Sequence, residues 1–199
     1  SLPPQNFTYF ADLGKDLKFI KNSFKAQAKC LSPYIDFFYL DVMSSLKECQ
    51  IAINSIESFK KEFLIGIHIR KGGKLPSGEK LLVVVKKIEK YNPIGIIVSC
   101  VSIEDVSKVM KDLKKIKTPY GFKINAFEHI PAGWKPDSNN PKVQLGKRDD
   151  LTPLKFAKTC LKFNKMGANI LGGCCEITPA HINKLKNLIW FNKFLGNSI

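Results

Sequence analysis

The chain alternates short apolar runs with longer segments in which apolar residues recur at helical spacing. Residues 12–31 carry apolar side chains every three or four positions, which predicts a first helix. Apolar runs of strand length then follow at 35–40, 63–69, 94–99, 120–126 and 168–171. A helical pattern follows each of them, so we predict a parallel sheet covered by helices. Five strands fit a small doubly wound sheet or the last five units of an eight-stranded barrel, and the pattern alone leaves both open.

Capping residues mark where several predicted helices begin. Ser45 opens a capping-box sequence and Ser102 stands before the fourth helix. Thr152-Pro153 and Thr178-Pro179 each supply an N-cap followed by proline at the first helical position. Between the fourth strand and the fifth helix runs a polar stretch, 129–150, and loops of this length in a compact domain are usually functional.

Size and composition indicate one globular domain over residues 1–199. The mass is 22.4 kDa, 44% of the residues are hydrophobic and 25% are charged, values that exclude a disordered or fibrous chain. No apolar run approaches the roughly 20 residues that a membrane-spanning helix needs. We therefore expect no membrane span.

The net charge of +15 raises the question of a nucleic-acid or other anionic partner. Only Arg70 and Arg148 are arginines, and the lysines are spread over every helical segment. Nucleic-acid readers concentrate arginine forks on one face, so a solvated lysine-rich surface explains the charge better. We expect no nucleic-acid partner.

The six cysteines lack the spacing of a disulfide framework, which favours a reducing compartment, the cytoplasm. Three of them fall in helical segments and are interpreted as packing residues: Cys30, Cys49 and Cys160. The histidines show no metal-ligand spacing and are interpreted as structural or surface residues: His68, His129 and His181.

The remaining cysteines could form a metal site. Cys174 and Cys175 follow a strand directly, behind two glycines, and Cys100 follows the strand 94–99. The carboxyl ends of parallel strands meet at one face, so the three thiols could converge. Three thiolates with a fourth open position are typical of catalytic zinc. The alternative is that buried cysteines are small apolar residues and their adjacency is chance.

Asp41 closes the first predicted strand at the same face. A carboxylate there could hold an amino group, act as a base, or cap the helix that follows.

The segment 167–182, GANILGGCCEITPAHI, resembles the C-terminal signature of the homocysteine S-methyltransferase family. Residues 94–106, IGIIVSCVSIEDV, are similar to the family's earlier cysteine segment. Gly72-Gly73, Ser77-Gly78 and Asn125 continue the resemblance over nearly the whole chain.

The resemblance implies a (β/α)8 barrel in which Cys100, Cys174 and Cys175 hold zinc. It also implies that the thiolate of homocysteine takes a methyl group and becomes methionine, with Asp41 and Asn125 as substrate-binding residues. S-methylmethionine or S-adenosylmethionine is favoured as the donor, since no folate or cobalamin domain accompanies the double cysteine.

The chain departs from the family at three points. Asp41 stands where the family normally has glutamate, Ser99 stands where it has asparagine, and the match begins near the fourth barrel strand. Since a complete barrel needs about 250 residues, we expect the last five βα units of an incomplete barrel. A missing N-terminal segment or a partner chain would complete it. The alternative function is a noncatalytic remnant that acts as a basic binding module.

Overall fold

The computed structural model describes residues 1–14, 16–131, 134 and 145–194, and side chains as far as 191. In these ranges five strands each precede a helix, and one further helix comes first. The elements are α1 Leu17–Leu31, β1 Phe37–Met43, α2 Leu46–Ile56, β2 Glu62–Ile67, α3 Leu81–Ile88, β3 Gly95–Val101, α4 Ile103–Leu113, β4 Tyr120–Ile124, α5 Pro153–Lys165, β5 Ile170–Gly173 and α6 Pro179–Phe194.

The five strands form one sheet in sequence order, and every neighbouring pair is parallel. This order is that of consecutive barrel strands. It confirms the predicted α/β fold, and the open five-stranded sheet fits an incomplete (β/α)8 barrel. One outer edge is partly covered, because Leu2 donates its N–H to the Tyr39 carbonyl at 2.7 Å. The carbonyl of Leu2 accepts from the N–H of Asp41 at 3.0 Å. In the described ranges no strand pairs with the outer edge of β5.

The two faces of the sheet carry different side chains. Phe38 packs on Phe59, and Phe122 packs on Phe163 of α5 with ring centroids 5.1 Å apart, so these strand residues face the helical layer. Successive strand residues point to opposite faces, which places Lys123 on the concave face that lines a barrel. The apolar core therefore lies between the sheet and the helices, and polar side chains such as Lys123 lie on the concave face.

Helix starts follow the predicted caps. The hydroxyls of Ser45, Ser102 and Thr152 accept hydrogen bonds from the backbone N–H of the third residue beyond each of them. The first helix begins at Leu17 and not near residue 12. Asp16 is its N-cap, and the Asp16 carboxylate accepts a hydrogen bond from the Phe19 N–H at 2.8 Å. This hydrogen bond sets the start of the helix, which the apolar periodicity had predicted too early.

Strand ends differ from the prediction where the backbone bulges. The pairing register shifts between Leu40 and Met43 of β1 and between Ser99 and Val101 of β3. Each bulge adds a residue, so Asp41 and Cys100 lie inside their strands and not at the ends. The fifth strand begins and ends two residues later than predicted, at Ile170–Gly173.

Two further predictions concern the polar stretch before α5 and membrane-spanning helices. Most of the polar stretch 129–150 lies outside the described residues. None of the described helices combines the length and the apolarity that crossing a bilayer requires.

Candidate metal centre

Three cysteine sulfurs meet at the carboxyl edge of the sheet, one from the bulge in β3 and two from the residues that follow β5. The Sγ atoms of Cys100 and Cys175 are 3.7 Å apart, and those of Cys174 and Cys175 are 3.8 Å apart. All three sulfurs lie within 4.8 Å of one another. Cys100 is fully buried, whereas Cys174 and Cys175 are half-buried, so the cluster opens on the side of the double cysteine. The structure thus brings together the thiols that the sequence placed 74 positions apart.

The spacing of these sulfurs can be tested against a tetrahedral metal. Zinc–sulfur bonds of about 2.3 Å in tetrahedral geometry put neighbouring sulfurs about 3.8 Å apart. The two contacts at 3.7 and 3.8 Å agree with that value, and both are far longer than a disulfide bond of about 2.05 Å. The donor set fits zinc in chemistry and in spacing.

A strained backbone turns Cys100 toward the other thiols. Its φ of 54° lies in the left-handed region, at the bulge in β3. The side chain of Asn125, which is 2% exposed, donates to the Cys100 carbonyl at 2.8 Å and lies 3.7 Å from its sulfur. Asn125 therefore fixes the bulged peptide from the neighbouring strand.

The double cysteine is tied to β4 by its own backbone. The N–H of Cys174 donates to the Ile124 carbonyl at 2.6 Å, and the carbonyl of Cys175 accepts from the Ala126 N–H at 2.9 Å. The chain then turns, with the Ile177 N–H donating back to the Cys174 carbonyl at 3.1 Å. These bonds hold both sulfurs on rigid backbone beside Cys100.

The pKa values of the two neighbouring cysteines in the cluster are shifted in opposite directions. Hydrogen bonds from Cys100 and Cys174 stabilise the thiolate of Cys175 and lower its pKa to about 3. Hydrogen bonding to Cys100 and Cys175, together with burial, raises the pKa of Cys174 well above its usual value. One thiolate is thus present at neutral pH, and a divalent cation would supply the charge needed to ionise the others.

The N-terminal segment closes one side of the site through Tyr9. Its hydroxyl lies 3.0 Å from the Cys100 sulfur, and its carbonyl accepts from the Arg70 guanidinium at 2.9 Å. Burial, followed by the charge of Cys100, raises the pKa of Tyr9, so the phenol stays protonated and has a proton to donate to a Cys100 thiolate. The ring contacts the rings of His68 and Trp134 in tilted geometry, with centroids 4.6 and 5.9 Å away.

A cavity of about 350 Å³ opens beside Cys100, between the loops that follow β2, β3 and β4. His68, Phe127 and Glu128 are among its lining residues. Burial lowers the pKa of His68, whose Nδ1 lies 3.1 Å from the Ser99 carbonyl, so its ring is neutral at pH 7. The cavity gives a second molecule access to the buried side of the thiol cluster.

Asp41 lies on the concave face and forms an ion pair with Lys123 of β4. Beside them the hydroxyls of Tyr39 and Ser99 are hydrogen-bonded at 2.6 Å. Burial and the nearby Asp41 raise the pKa of Tyr39, which keeps that hydroxyl protonated.

The other cysteines and histidines lie apart from the thiol cluster, with one exception. Cys49 and Cys160 are buried packing residues as predicted, but Cys30 is exposed on α1, so its interpretation as a packing residue was wrong. His129 is exposed, and His181 is buried with its Nε2 2.9 Å from the Leu151 carbonyl, a structural role. His68 is the exception, since its ring packs against Tyr9 at the site.

Sequence reasoning missed Tyr9 and Lys123. Nothing around Tyr9 marks it, because it belongs to a segment without regular structure before α1. Lys123 carried a usable signal: a lysine inside an otherwise apolar strand needs a partner of opposite charge.

Comparisons with known proteins agree with this architecture. Thirty-three chains of solved structures match. One is the type I 3-dehydroquinate dehydratase of Clostridium difficile, a barrel enzyme solved with covalently modified comenic acid, with a TM-score of 0.50 and 10% identity. The match covers 89% of this chain and 63% of the dehydratase chain, and at this identity it concerns the fold alone. No curated relative matches the chain.

The family comparison covers both parts of the thiol cluster. A sequence model described as homocysteine S-methyltransferase matches residues 1–189, a range that contains all five strands, Cys100 and the double cysteine. The chain therefore belongs to the homocysteine S-methyltransferase family.

Proposed function

We propose that this chain is the zinc-binding part of a methyltransferase that moves a methyl group onto the thiol of homocysteine and so forms methionine. The donor is S-methylmethionine or S-adenosylmethionine. The observation that carries the proposal is the group of three cysteine sulfurs, spaced at 3.7 and 3.8 Å as a tetrahedral zinc ion requires.

Cys100, Cys174 and Cys175 would hold the metal and leave a fourth position for the substrate. Zinc bound there would lower the pKa of a substrate thiol and keep it as a thiolate at neutral pH. Three thiolate ligands also suit zinc, because soft thiolates are among the ligands that select it.

The residues of the chain prepare this site. Asn125 fixes the bulged peptide of Cys100, and the protonated hydroxyl of Tyr9 donates to the Cys100 sulfur. Such contacts around a metal ligand orient it and tune its basicity. Cys100 and Tyr9 are buried, whereas the half-buried double cysteine leaves its side of the cluster open to the substrate thiol.

The reaction needs no covalent intermediate with the protein. The substrate thiol releases its proton to solvent water. The sulfur lone pair then forms the new bond to the methyl carbon, and the electrons of the breaking carbon–sulfur bond return to the donor sulfur. The donor leaves as a neutral thioether. The role of the protein is then to align the thiolate, the methyl carbon and the leaving sulfur, which is where positioning lowers a barrier most.

The cavity beside Cys100 would receive the donor. A methyl sulfonium is positively charged. The cavity is lined by three carboxylates and three cationic side chains, and within it the ring of Phe127 and the neighbouring carboxylate of Glu128 would face the sulfonium. Its volume of about 350 Å³ lies within the range of small-molecule sites.

The test is methyl transfer by the zinc-loaded protein. L-homocysteine that carries deuterium on its carbon chain is supplied with each unlabelled donor in turn, and methionine that carries this label is measured by mass spectrometry. We expect labelled methionine from the wild type and from Cys30→Ser, a control at an exposed thiol outside the cluster, and none above background from Cys175→Ser. Equal activity of Cys175→Ser and wild type, or no transfer from either donor by protein that holds zinc, would contradict the proposal.

A further inference from the structure

The cysteines of the cluster compete with the substrate for the methyl group. With a substrate thiol in the fourth position the site would hold four thiolates, and a thiolate is a nucleophile toward a sulfonium. Cys100 is directly at risk, because it lines the cavity of about 350 Å³ that would receive the donor. The chain therefore needs a means of directing the methyl group away from Cys100.

Methylation of Cys100 would destroy the site. The lone pair of its thiolate would form a bond to the methyl carbon, the carbon–sulfur bond of the sulfonium would break, and its electrons would return to the donor sulfur. The donor would leave as a neutral thioether, as it does in the reaction with the substrate. Cys100 would become an uncharged S-methylcysteine, and the metal would lose one of its three protein thiolates.

The hydroxyl of Tyr9 is placed on the Cys100 sulfur. Its oxygen lies 3.0 Å from Sγ in a buried contact, and the side-chain amide of Asn125 adds a longer contact at 3.7 Å. The same hydroxyl also hydrogen-bonds to the Cys175 sulfur. A phenol keeps its proton at neutral pH, so Tyr9 donates to a thiolate. Such a hydrogen bond holds the sulfur lone pair and has to weaken before the sulfur can attack carbon.

The backbone of Tyr9 is strained in the position that brings its hydroxyl to the sulfur. Its φ of 66° lies in the left-handed region, and its carbonyl accepts from the Arg70 guanidinium at 2.9 Å. The ring is 5% exposed and contacts the rings of His68 and Trp134. Strain of this kind persists only where the surrounding contacts enforce it, so the hydroxyl is held at a fixed place on the thiol.

We propose that Tyr9 protects Cys100 from methylation, so that the donor methylates the substrate thiol and leaves the metal ligands intact. Tyr9 is in this role a positioning residue that acts through the Cys100 sulfur. The inference rests on the proposed function, since it assumes a methyl donor in the cavity beside Cys100. A phenol has one proton to donate, and the protein sulfurs take it. The substrate thiolate therefore remains the better nucleophile.

The test measures which cysteines iodomethane methylates in the full zinc-loaded chain. After a timed exposure the protein is unfolded, the remaining thiols are blocked, and methylation of each cysteine is measured by peptide mass spectrometry. Cys174 is the reference thiol, because its hydrogen bonds run to the other two cysteines. Tyr9→Phe keeps the ring, and we expect it to raise the ratio of methylation at Cys100 to that at Cys174 about tenfold, the effect of losing one hydrogen bond to a charged group.

Tyr120→Phe is the matched control. It removes a hydroxyl at the opposite end of β4, where Tyr120 donates to the Met166 carbonyl at 3.1 Å, and it should leave the ratio unchanged. Arg70→Gln removes the anchor of the Tyr9 carbonyl and should raise the ratio in the same direction as Tyr9→Phe. Iodomethane is small and uncharged, so the lost charge of Arg70 does not itself alter the approach of the reagent.

A spectroscopic readout separates this chemistry from packing. Cobalt(II) in place of zinc gives a sulfur-to-metal charge-transfer band, whose energy depends on how strongly the thiolates donate to the metal. Loss of the hydrogen bond in Tyr9→Phe should move this band to longer wavelength. Easier access of the reagent to the cluster would leave the band in place.

Metal content is measured in every variant before the reagent is added. A Tyr9→Phe chain that holds zinc and keeps the wild-type methylation ratio, or that changes the ratio with an unmoved cobalt band, would overturn the role of Tyr9. If Tyr9→Phe holds no metal, Arg70→Gln decides by the same two criteria. The iodomethane test needs no homocysteine, so it stands apart from the methyl-transfer assay, whose failure in zinc-loaded protein would overturn the proposed function alone.

Discussion

Glu48 provides a quantitative test of how the structure treats a buried charge. Its side chain lies in the first turn of α2 and is 1% exposed. One carboxylate oxygen accepts from the Ser44 N–H at 2.7 Å, which completes the cap of the helix. Burial outweighs that hydrogen bond and raises the pKa of Glu48 from 4.5 to about 7. The substitution Glu48→Gln keeps the shape and the acceptor but removes the charge.

The magnitude follows from linkage between protonation and folding. Between pH 4.5 and pH 7 the folded state keeps a proton that the unfolded state has released, so the free energy of unfolding falls as pH rises through this window. A shift of 2.5 pKa units at 1.36 kcal/mol per unit gives about 3 kcal/mol. Glu48→Gln should equal the wild type in stability near pH 4 and exceed it by about 3 kcal/mol at pH 7.5.

Urea unfolding followed by circular dichroism, at several pH values from 4 to 8, measures this difference. Chelator is present throughout, so that metal binding does not add its own pH dependence. Glu57→Gln is the matched control because Glu57 is exposed just beyond α2, and its curve should run parallel to that of the wild type. A Glu48→Gln curve that also runs parallel to the wild type would refute the reasoning about burial.

Two further predictions concern the β5 edge and the thiols. Gly121→Ala should destabilise the fold by more than about 2 kcal/mol in thermal unfolding, since the added Cβ would lie against the Ile170 carbonyl. Gly172→Ala should cost less than about 1 kcal/mol, because the atoms nearest to its added Cβ are 3.7 Å away. Equal losses would show that β4 and β5 are not this close. In zinc-free protein, iodoacetamide should alkylate Cys175 at nearly the same rate from pH 5 to 8, because its pKa is about 3. Peptide mass spectrometry measures this alkylation, and in Cys100→Ala we expect the rate at Cys175 to rise with pH over the same range. A wild-type rate that falls tenfold for each pH unit from pH 8 down to pH 5 would contradict the prediction.

Much of the fold could be predicted from the sequence because local signals agreed with one another. Thr152-Pro153 set the start of α5, and the apolar runs located all five strands along the chain, although they left the order of the strands in the sheet open. Parallel strands with helical crossovers then required the Cys100 segment and the double cysteine to end at the same edge. For this reason the three thiols could be grouped before any coordinates were known.

The details of the site depend on tertiary contacts that no local pattern reveals. The left-handed conformation of Cys100 arises from a bulge against β4, and Val42 takes the same conformation at the bulge in β1. Asp41 and Lys123 form an ion pair although they are 82 positions apart in the sequence, so the local pattern around one does not predict its pairing with the other. Tyr9 reaches the cluster from a segment without periodicity.

The measurement that tests the central claim most directly is the zinc content of the purified chain after reconstitution and removal of free metal. The account predicts one zinc per chain for the wild type and for Cys30→Ser, and none for Cys174→Ser under the same wash. A wild type without zinc, or a Cys174→Ser variant that retains one zinc per chain, would contradict the claim that Cys100, Cys174 and Cys175 form a metal site.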